Sequence, residues 1–561
     1  MPKSHAADRT QNRRKWAFRL APVVILIFVP ALAEVSLRVL GFGDPTPFVI
    51  RKGDYWFPNE KFALQFLGPR GTSRPVYFRV PIQKAPNTFR IVVLGESAAM
   101  GTPDPAFSFG RILEVMLEPR FPGKKIEWVN AAMRGIDSHV VRHIARDCAR
   151  LQPDLFIIYM GNNEVIGLHG PEPGCSKMSQ SLSVIRAGQF LKSSKLGQLF
   201  KLGRRASSRA PVQDMEFFRK HRLPADDWRR EAVRRNFAAN LEDICRVVTS
   251  ADARAIVSTV PVNVKDFPPL GSIDANAEGQ FRLGQKLLAA SDTNQARQHY
   301  ERALDSDALQ FRADTRLNQK IRDIAKQFPS NQVALVDAAA AFAAADGGIP
   351  GANLFRDHVH PTYEGDYLLA RTLLPAIEAD LVGRGVPTAP RPEIPSIEEC
   401  ARLLAHTEWH AAQIQLAIAD LTSRPPYHDQ LDYRERQAAA EKAARERVAK
   451  LGAPEIESAL QISLAAVKRR PDDWMFRNNC AQLYQALGRP AGAIEHIEVI
   501  AKIFPHASLF QILLGQTLAS AGRIDAAIFH FEQAAKLDPN DARAREGLDQ
   551  LRKHKAKSLV P

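Results

Sequence analysis

Apolar positions in this chain fall into blocks of two lengths. One block is long and unbroken: residues 20–33, behind a basic amino terminus that ends Arg13-Arg14-Lys15. An apolar run behind a cationic flank predicts a membrane-spanning anchor over 17–40, or a signal segment cut after Ala31-Leu32-Ala33. Either reading leaves 1–16 as a cytoplasmic tail and puts the body outside the cytoplasm, because the basic flank stays inside. The other blocks are short. Residues 90–97 run Arg-Ile-Val-Val-Leu-Gly-Glu-Ser, and 126–130, 154–160, 253–260 and 333–337 are similar. Branched residues bounded by turn formers predict buried strands. Between them, 107–117, 140–151, 231–249 and 364–382 repeat their apolar residues at helical spacing. Alternating strands and helices predict an α/β domain over 88–382, with a parallel sheet between two layers of helices. Two insertions interrupt it, one basic and irregular at 169–225, the other helical at 275–325.

The flanks have their own patterns. Residues 41–87, rich in Pro, Gly and aromatics, read as an extended juxtamembrane lead-in with room for short strands. A Pro-rich stretch marks a linker over 383–400, followed by a helical spacer over 401–453. From 454 to 550 the chain is self-similar: Pro471, Pro505 and Pro539 stand 34 apart, as do Ala459, Ala493 and Ala527. That is the tetratricopeptide period, and Leu514-Gly515, Ala527, Phe531, Ala534 and Pro539 resemble the repeat's pattern. Such arrays bind partners on a concave face, so a protein partner is expected there, in a region dispensable for chemistry on a small substrate. Gly284, Ala296, Tyr300 and Ala303 keep the same offsets inside the second insertion. A lone repeat cannot bury its own face, so this one is expected to pack on the α/β body.

Composition narrows the function. With 45% hydrophobic and 24% charged residues the chain belongs among folded proteins. Its net charge of +15 is spread widely. No zinc-ligand spacing or nucleic-acid motif occurs, which argues against nucleic-acid binding and gives no metal or cofactor site. The five cysteines are scattered without a CxxC, so no disulfide framework is indicated.

Candidate chemistry sits at the strand ends. Gly95-Glu96-Ser97 closes the first strand, 130–135 (Asn-Ala-Ala-Met-Arg-Gly) follows the second, and Gly161-Asn162-Asn163-Glu164 follows the third. Asp357-His358-Val359-His360-Pro361 precedes the last helix. Read singly, Gly135 is a turn glycine and Asn163 a helix cap. In this order the four resemble the blocks of the SGNH (GDSL-type) hydrolases. The resemblance implies a three-layer, flavodoxin-like fold and an ester hydrolase without metal or cofactor. It makes Ser97 the nucleophile, His360 the base and Asp357 its orienting acid. Ser97, Gly135 and Asn163 become the oxyanion donors. Glu96 and Glu164 depart from the family, which often has Asp there. His358 has the wrong spacing for a base and reads as structural. Both insertions leave the active-site edge of the sheet, so they are expected to wall or lid the cleft. Arg312 is a candidate contact for an anionic substrate group, with pairing to the body as the alternative. The resemblance thus implies an extracytoplasmic, membrane-tethered esterase whose substrate is an acylated glycan or lipid. An O-acyltransferase or deacetylase on an envelope polysaccharide would use the same residues, and a non-catalytic repeat scaffold would use none of them.

Overall fold

The computed structural model describes residues 28–67, 73–171, 174–205, 222–273, 276–390 and 393–558. Two short hairpin strands, β1 (Val49–Lys52) and β2 (Tyr55–Pro58), pair antiparallel, and β3 (Val80–Pro81) adds to β2. The main sheet holds β4 (Thr88–Gly95), β5 (Lys125–Asn130), β6 (Leu155–Tyr159), β7 (Arg254–Ser258) and β8 (Val333–Val336). Its order is β5-β4-β6-β7-β8, parallel throughout. Every residue of β4 is buried, which is why a strand covered on both faces shows no polar alternation. Helices Phe109–Leu117 and Tyr363–Gly383 cover one face; Ser138–Cys148, Trp228–Ser250 and Thr315–Ala325 cover the other. The fold is therefore the expected three-layer α/β sandwich with an all-helical carboxyl-terminal region. Its strand order reverses between β4 and β6, and open sheets of this kind place ligands at that switch point.

The repeats form helix pairs from Ala453–Arg469 to Ala542–Ser558. The predicted inner copy is the hairpin Asn276–Ala289/Thr293–Ser306. A Cβ on Gly284 would stand 3.0 Å from the Tyr300 ring, just as one on Gly515 would meet Phe531 at 3.0 Å. Identical offsets thus make the same close helix crossing twice. The inner hairpin closes its face with Ile349, Val264 and Leu431 of the body and neighbouring segments.

The flanking segments are more integrated than their composition suggests. Phe57 and Tyr77, from the lead-in, enter the repeat core beside Trp474, Phe504 and Phe510. Arg74 bridges Glu60 to Asp541 of the last repeat, and Arg470 pairs with Glu114 and Glu118 of the body. The 401–453 segment packs on the α/β domain instead of spacing it from the repeats: His406 stacks on Tyr363 with ring centres 4.2 Å apart and contacts Phe107 at 4.8 Å. The expected anchor lies outside the described residues as far as residue 27. Among the described residues no helix is long and apolar enough to cross a membrane.

Candidate active site

Four loops meet at the carboxyl edge of the sheet, around the β4/β6 switch point. β4 and β6 approach so closely at Gly95 that a Cβ there would lie 2.0 Å from the Tyr159 carbonyl oxygen. The chain then turns through Glu96 into the short helix Ser97–Met100. Ser97 Oγ lies 2.9 Å from His360 Nε2, and His360 Nδ1 lies 2.6 Å from Asp357 Oδ2. Asp357 Oδ1 accepts the backbone N–H groups of Val359 and His360, both at 2.9 Å, which holds the carboxylate square to the ring. A proton on Nδ1, donated to Asp357, leaves Nε2 free to accept from the serine hydroxyl. Burial alone would raise the Asp357 carboxyl. His360 and His358 beside it outweigh that and hold it well below the usual carboxylate range. The sequence-selected Ser97, Asp357 and His360 are thus brought into one hydrogen-bonded chain, with all three buried.

The three positions selected as oxyanion donors come to the same edge. Ser97 opens a helix, so its backbone N–H has no intrahelical acceptor. Gly135 is exposed and turns at φ +70°, a conformation that favours glycine. Asn163 donates one amide hydrogen from Nδ2 to the Ile136 carbonyl at 3.0 Å, leaving the second for another acceptor.

Sequence reasoning passed over what supports this loop. Glu96, 1% exposed, accepts from the N–H groups of Gly161 (3.3 Å), Asn162 (2.8 Å) and Asn163 (3.3 Å). These bonds tie the β4 turn to the β6 turn. Burial pushes the Glu96 carboxyl up to about 8, against the pull of those three bonds. Glu164 accepts from Ser138 N and Oγ, both at 2.7 Å. Asp137 caps that same helix and meets His169 Nδ1 at 3.0 Å. The signal available in the sequence was the departure itself, a Glu between an apolar strand and the candidate nucleophile.

The wall also differs from expectation. Phe267, Phe311 and Tyr427 surround the His358 ring at 5.4, 6.1 and 5.9 Å between centroids. The segment after the inner hairpin does reach the site, where Ala313 N donates to Asn162 Oδ1 at 3.0 Å. Arg312, expected as a substrate contact, is not one. It is 2% exposed; Nη1 donates to the Asn263 and Phe267 carbonyls, each at 2.8 Å, and Nη2 lies 3.2 Å from Asp307. A guanidinium spent on buried carbonyls of its own fold has none of these donors left for an anion. Of the first insertion, helix Lys195–Arg205 bonds Glu34 and Asp44, and helix Leu182–Ser193 bonds His169 through Gln189; 172–173 and 206–221 lie outside the described residues.

Asp357, His358 and His360 are the one acid–histidine group among the described residues with ligand-type atoms close enough for a metal, within 4.8 Å of one another. Asp357 and His360 are already engaged in the chain to Ser97, and His358 Nδ1 lies 3.3 Å from Asp357 Oδ1.

A tetratricopeptide-repeat family model matches residues 508–541. No curated protein matches. Among solved structures, the chain is similar to an acetyl xylan esterase at 12% identity and TM-score 0.28, over 52% of this chain and 100% of that one. A GDSL-like lipase from Bacteroides thetaiotaomicron matches at 15% identity and TM-score 0.27, over 52% and 87%. A catalytic mutant of an acetylxylan esterase from Geobacillus stearothermophilus matches at 15% and 0.27, over 52% and 94%.

Proposed function

We propose that this chain is a serine ester hydrolase, tethered to a membrane with its catalytic body outside the cytoplasm. The observation that carries the chemistry is the unbroken Ser97–His360–Asp357 hydrogen-bond chain at the sheet's switch point. His360 Nε2 takes the Ser97 proton as Oγ attacks the ester carbonyl. The Ser97 and Gly135 N–H groups and the Asn163 amide receive the developing oxyanion. The carbonyl re-forms, the alcohol leaves with the proton from His360, and acyl-Ser97 remains. Water repeats the sequence from the other side, giving up its proton to His360 and releasing the acid. A sugar hydroxyl in place of water would make the same site an acyltransferase. The aromatic wall that Phe311 and Tyr427 build around His358, beside the base, supports that second reading.

The location rests on the apolar run behind a basic flank, which fits a tether. The repeats are read as the attachment point for a protein partner, on surface not already taken by Phe57 and Tyr77.

Turnover of a small activated acetate ester by Ser97→Ala and Asn163→Ala variants tests the chemistry. Ser97→Ala should fall to the uncatalysed background, and Asn163→Ala should lose roughly 10²–10³ in turnover, the usual cost of one oxyanion donor. Wild-type turnover in Ser97→Ala would end the proposal.

A further inference from the structure

Soluble helices bury apolar residues and expose polar ones; two helices of the first insertion and one near the amino terminus do the reverse. In Leu182–Ser193 the buried side chain is Gln189, whose amide joins His143 (3.2 Å) to His169 (3.1 Å). Phe190 and Leu191 beside it are 71% and 63% exposed. Helix 28–39 turns Glu34 inward, where the carboxylate accepts from Lys195 N (3.0 Å) and Leu196 N (2.9 Å) and so caps the next helix. Its Phe28, Val35 and Val39 stand more than half exposed. Lys195–Arg205 spaces Leu196, Leu199, Phe200 and Gly203 along one helical stripe, and Phe200 is 74% exposed.

These features adjoin: Glu34 and Asp44 bond Lys195 and Leu196, and Ser194 alone separates that helix from Leu182–Ser193 while its hydroxyl accepts from Gly197 N. Among the described residues, ten of the twelve large apolar side chains more than half exposed lie in 28–40 and 178–200. A concentration of that kind marks a surface that meets another phase or partner. Charge says which. From 173 to 213 the sequence has eight lysines and arginines and no acidic residue. Apolar side chains beside acid-free cationic sequence are the composition of helices that lie in the headgroup layer of anionic membranes.

We propose that helices Leu182–Ser193 and Lys195–Arg205, with the outer face of helix 28–39, dock in the plane of an anionic lipid bilayer. Phe190, Leu191 and Phe200 enter the acyl boundary, and the exposed Lys192 beside them meets lipid phosphate. The inference needs neither the ester chemistry nor a spanning segment. It also gives the first insertion a role of its own. Through Gln189 and His169 the docked surface is hydrogen-bonded to Asp137, so the bilayer fixes the orientation of the candidate site.

The test uses the full chain with Cys175→Ser and a single Phe190→Cys or Phe200→Cys carrying a polarity-sensitive dye. The protein is held in nanodiscs of phosphatidylcholine, with or without phosphatidylglycerol. Phe529→Cys, on an exposed repeat position, is the control. In anionic discs the dye at 190 or 200 should brighten several-fold, shift to the blue and be quenched by nitroxide-labelled lipid. Added salt or Lys192→Glu should weaken all three responses. Dye at 190 and 200 that stays as exposed as at 529 overturns the proposal. So does a dye that is buried yet unquenched by lipid nitroxide, which would mean a second copy or residues 1–27 cover the patch. Equal quenching in neutral and anionic discs overturns the assignment of anionic lipid.

Discussion

Replacing Tyr77 with alanine tests whether the repeats are a free arm or part of the catalytic body. Tyr77 is 6% exposed, and its ring stands 4.6 Å from Phe510, 5.6 Å from Phe504 and 5.8 Å from Trp474. Trp474 Nε1 also donates to the Tyr77 carbonyl at 2.9 Å, a bond the substitution keeps. An aromatic of this size hides roughly 150–250 Å², worth about 4–6 kcal/mol at about 25 cal/mol per Å². Aromatic-to-alanine changes in cores cost about 3–5 kcal/mol, which overlaps that range from below. The tyrosine hydroxyl donates to Glu60, but Glu60 keeps Arg74 and the Ser508 N–H, so no buried charge is left unpaired. A loss of about 3–5 kcal/mol is therefore expected, a large part of the roughly 5–15 kcal/mol that holds a domain folded. Urea unfolding followed by circular dichroism should show a lower midpoint. Limited proteolysis should cut the turn at 450–452, between helices Tyr433–Ala449 and Ala453–Arg469, sooner and release the repeats. A Tyr77→Ala/Trp474→Ala double-mutant cycle should show coupling of about 0.5–1.5 kcal/mol. An unchanged midpoint with no coupling, or a wild-type array already released as fast as the variant, would refute docking.

Two further outcomes are expected. Tyr427→Ala, at a 1% exposed position against His358, should widen the acyl chains accepted in an ester-length series and cost about 3–5 kcal/mol of stability; an unchanged length profile would remove Tyr427 from the wall. Stability should also fall as pH rises. Burial pushes Glu96 and Asp366 up to about 8, from ordinary values of 4.5 and 3.8, so the folded chain holds two protons that the unfolded chain has lost. That contribution is full below the ordinary carboxylate range and is lost as pH rises through about 8. The urea midpoint should drop over this window, and a Glu96→Gln/Asp366→Asn variant should drop less; identical profiles would contradict the assignment.

What the sequence revealed, and what it hid, follows from the range of the interactions. The parallel sheet was legible because strands covered on both faces, such as β4, are continuous apolar runs. The Ser97, Asp357 and His360 set was legible because strand ends and a short loop carry it in fixed order. The docking of 41–87 onto the repeats was not, since Arg74 and Asp541 are separated by most of the chain and neither segment signals the other. Tyr427 was hidden for the same reason: it reaches His358 from a region that reads as generic helix. Arg312 misled because an arginine in a long insertion reads as solvent-facing, whereas three backbone and carboxylate oxygens had already claimed it. Glu96 was visible as a departure from pattern, but only the fold shows the three N–H groups it holds.

The central claim is that Ser97 is an activated nucleophile. Incubating the purified protein with a serine-directed phosphonate, then mapping the adduct by mass spectrometry, tests it most directly. One phosphonyl group is expected, on the peptide containing Ser97, absent in Ser97→Ala and strongly slowed in His360→Ala. An adduct on another serine, or none under conditions that label a control serine esterase, would contradict it.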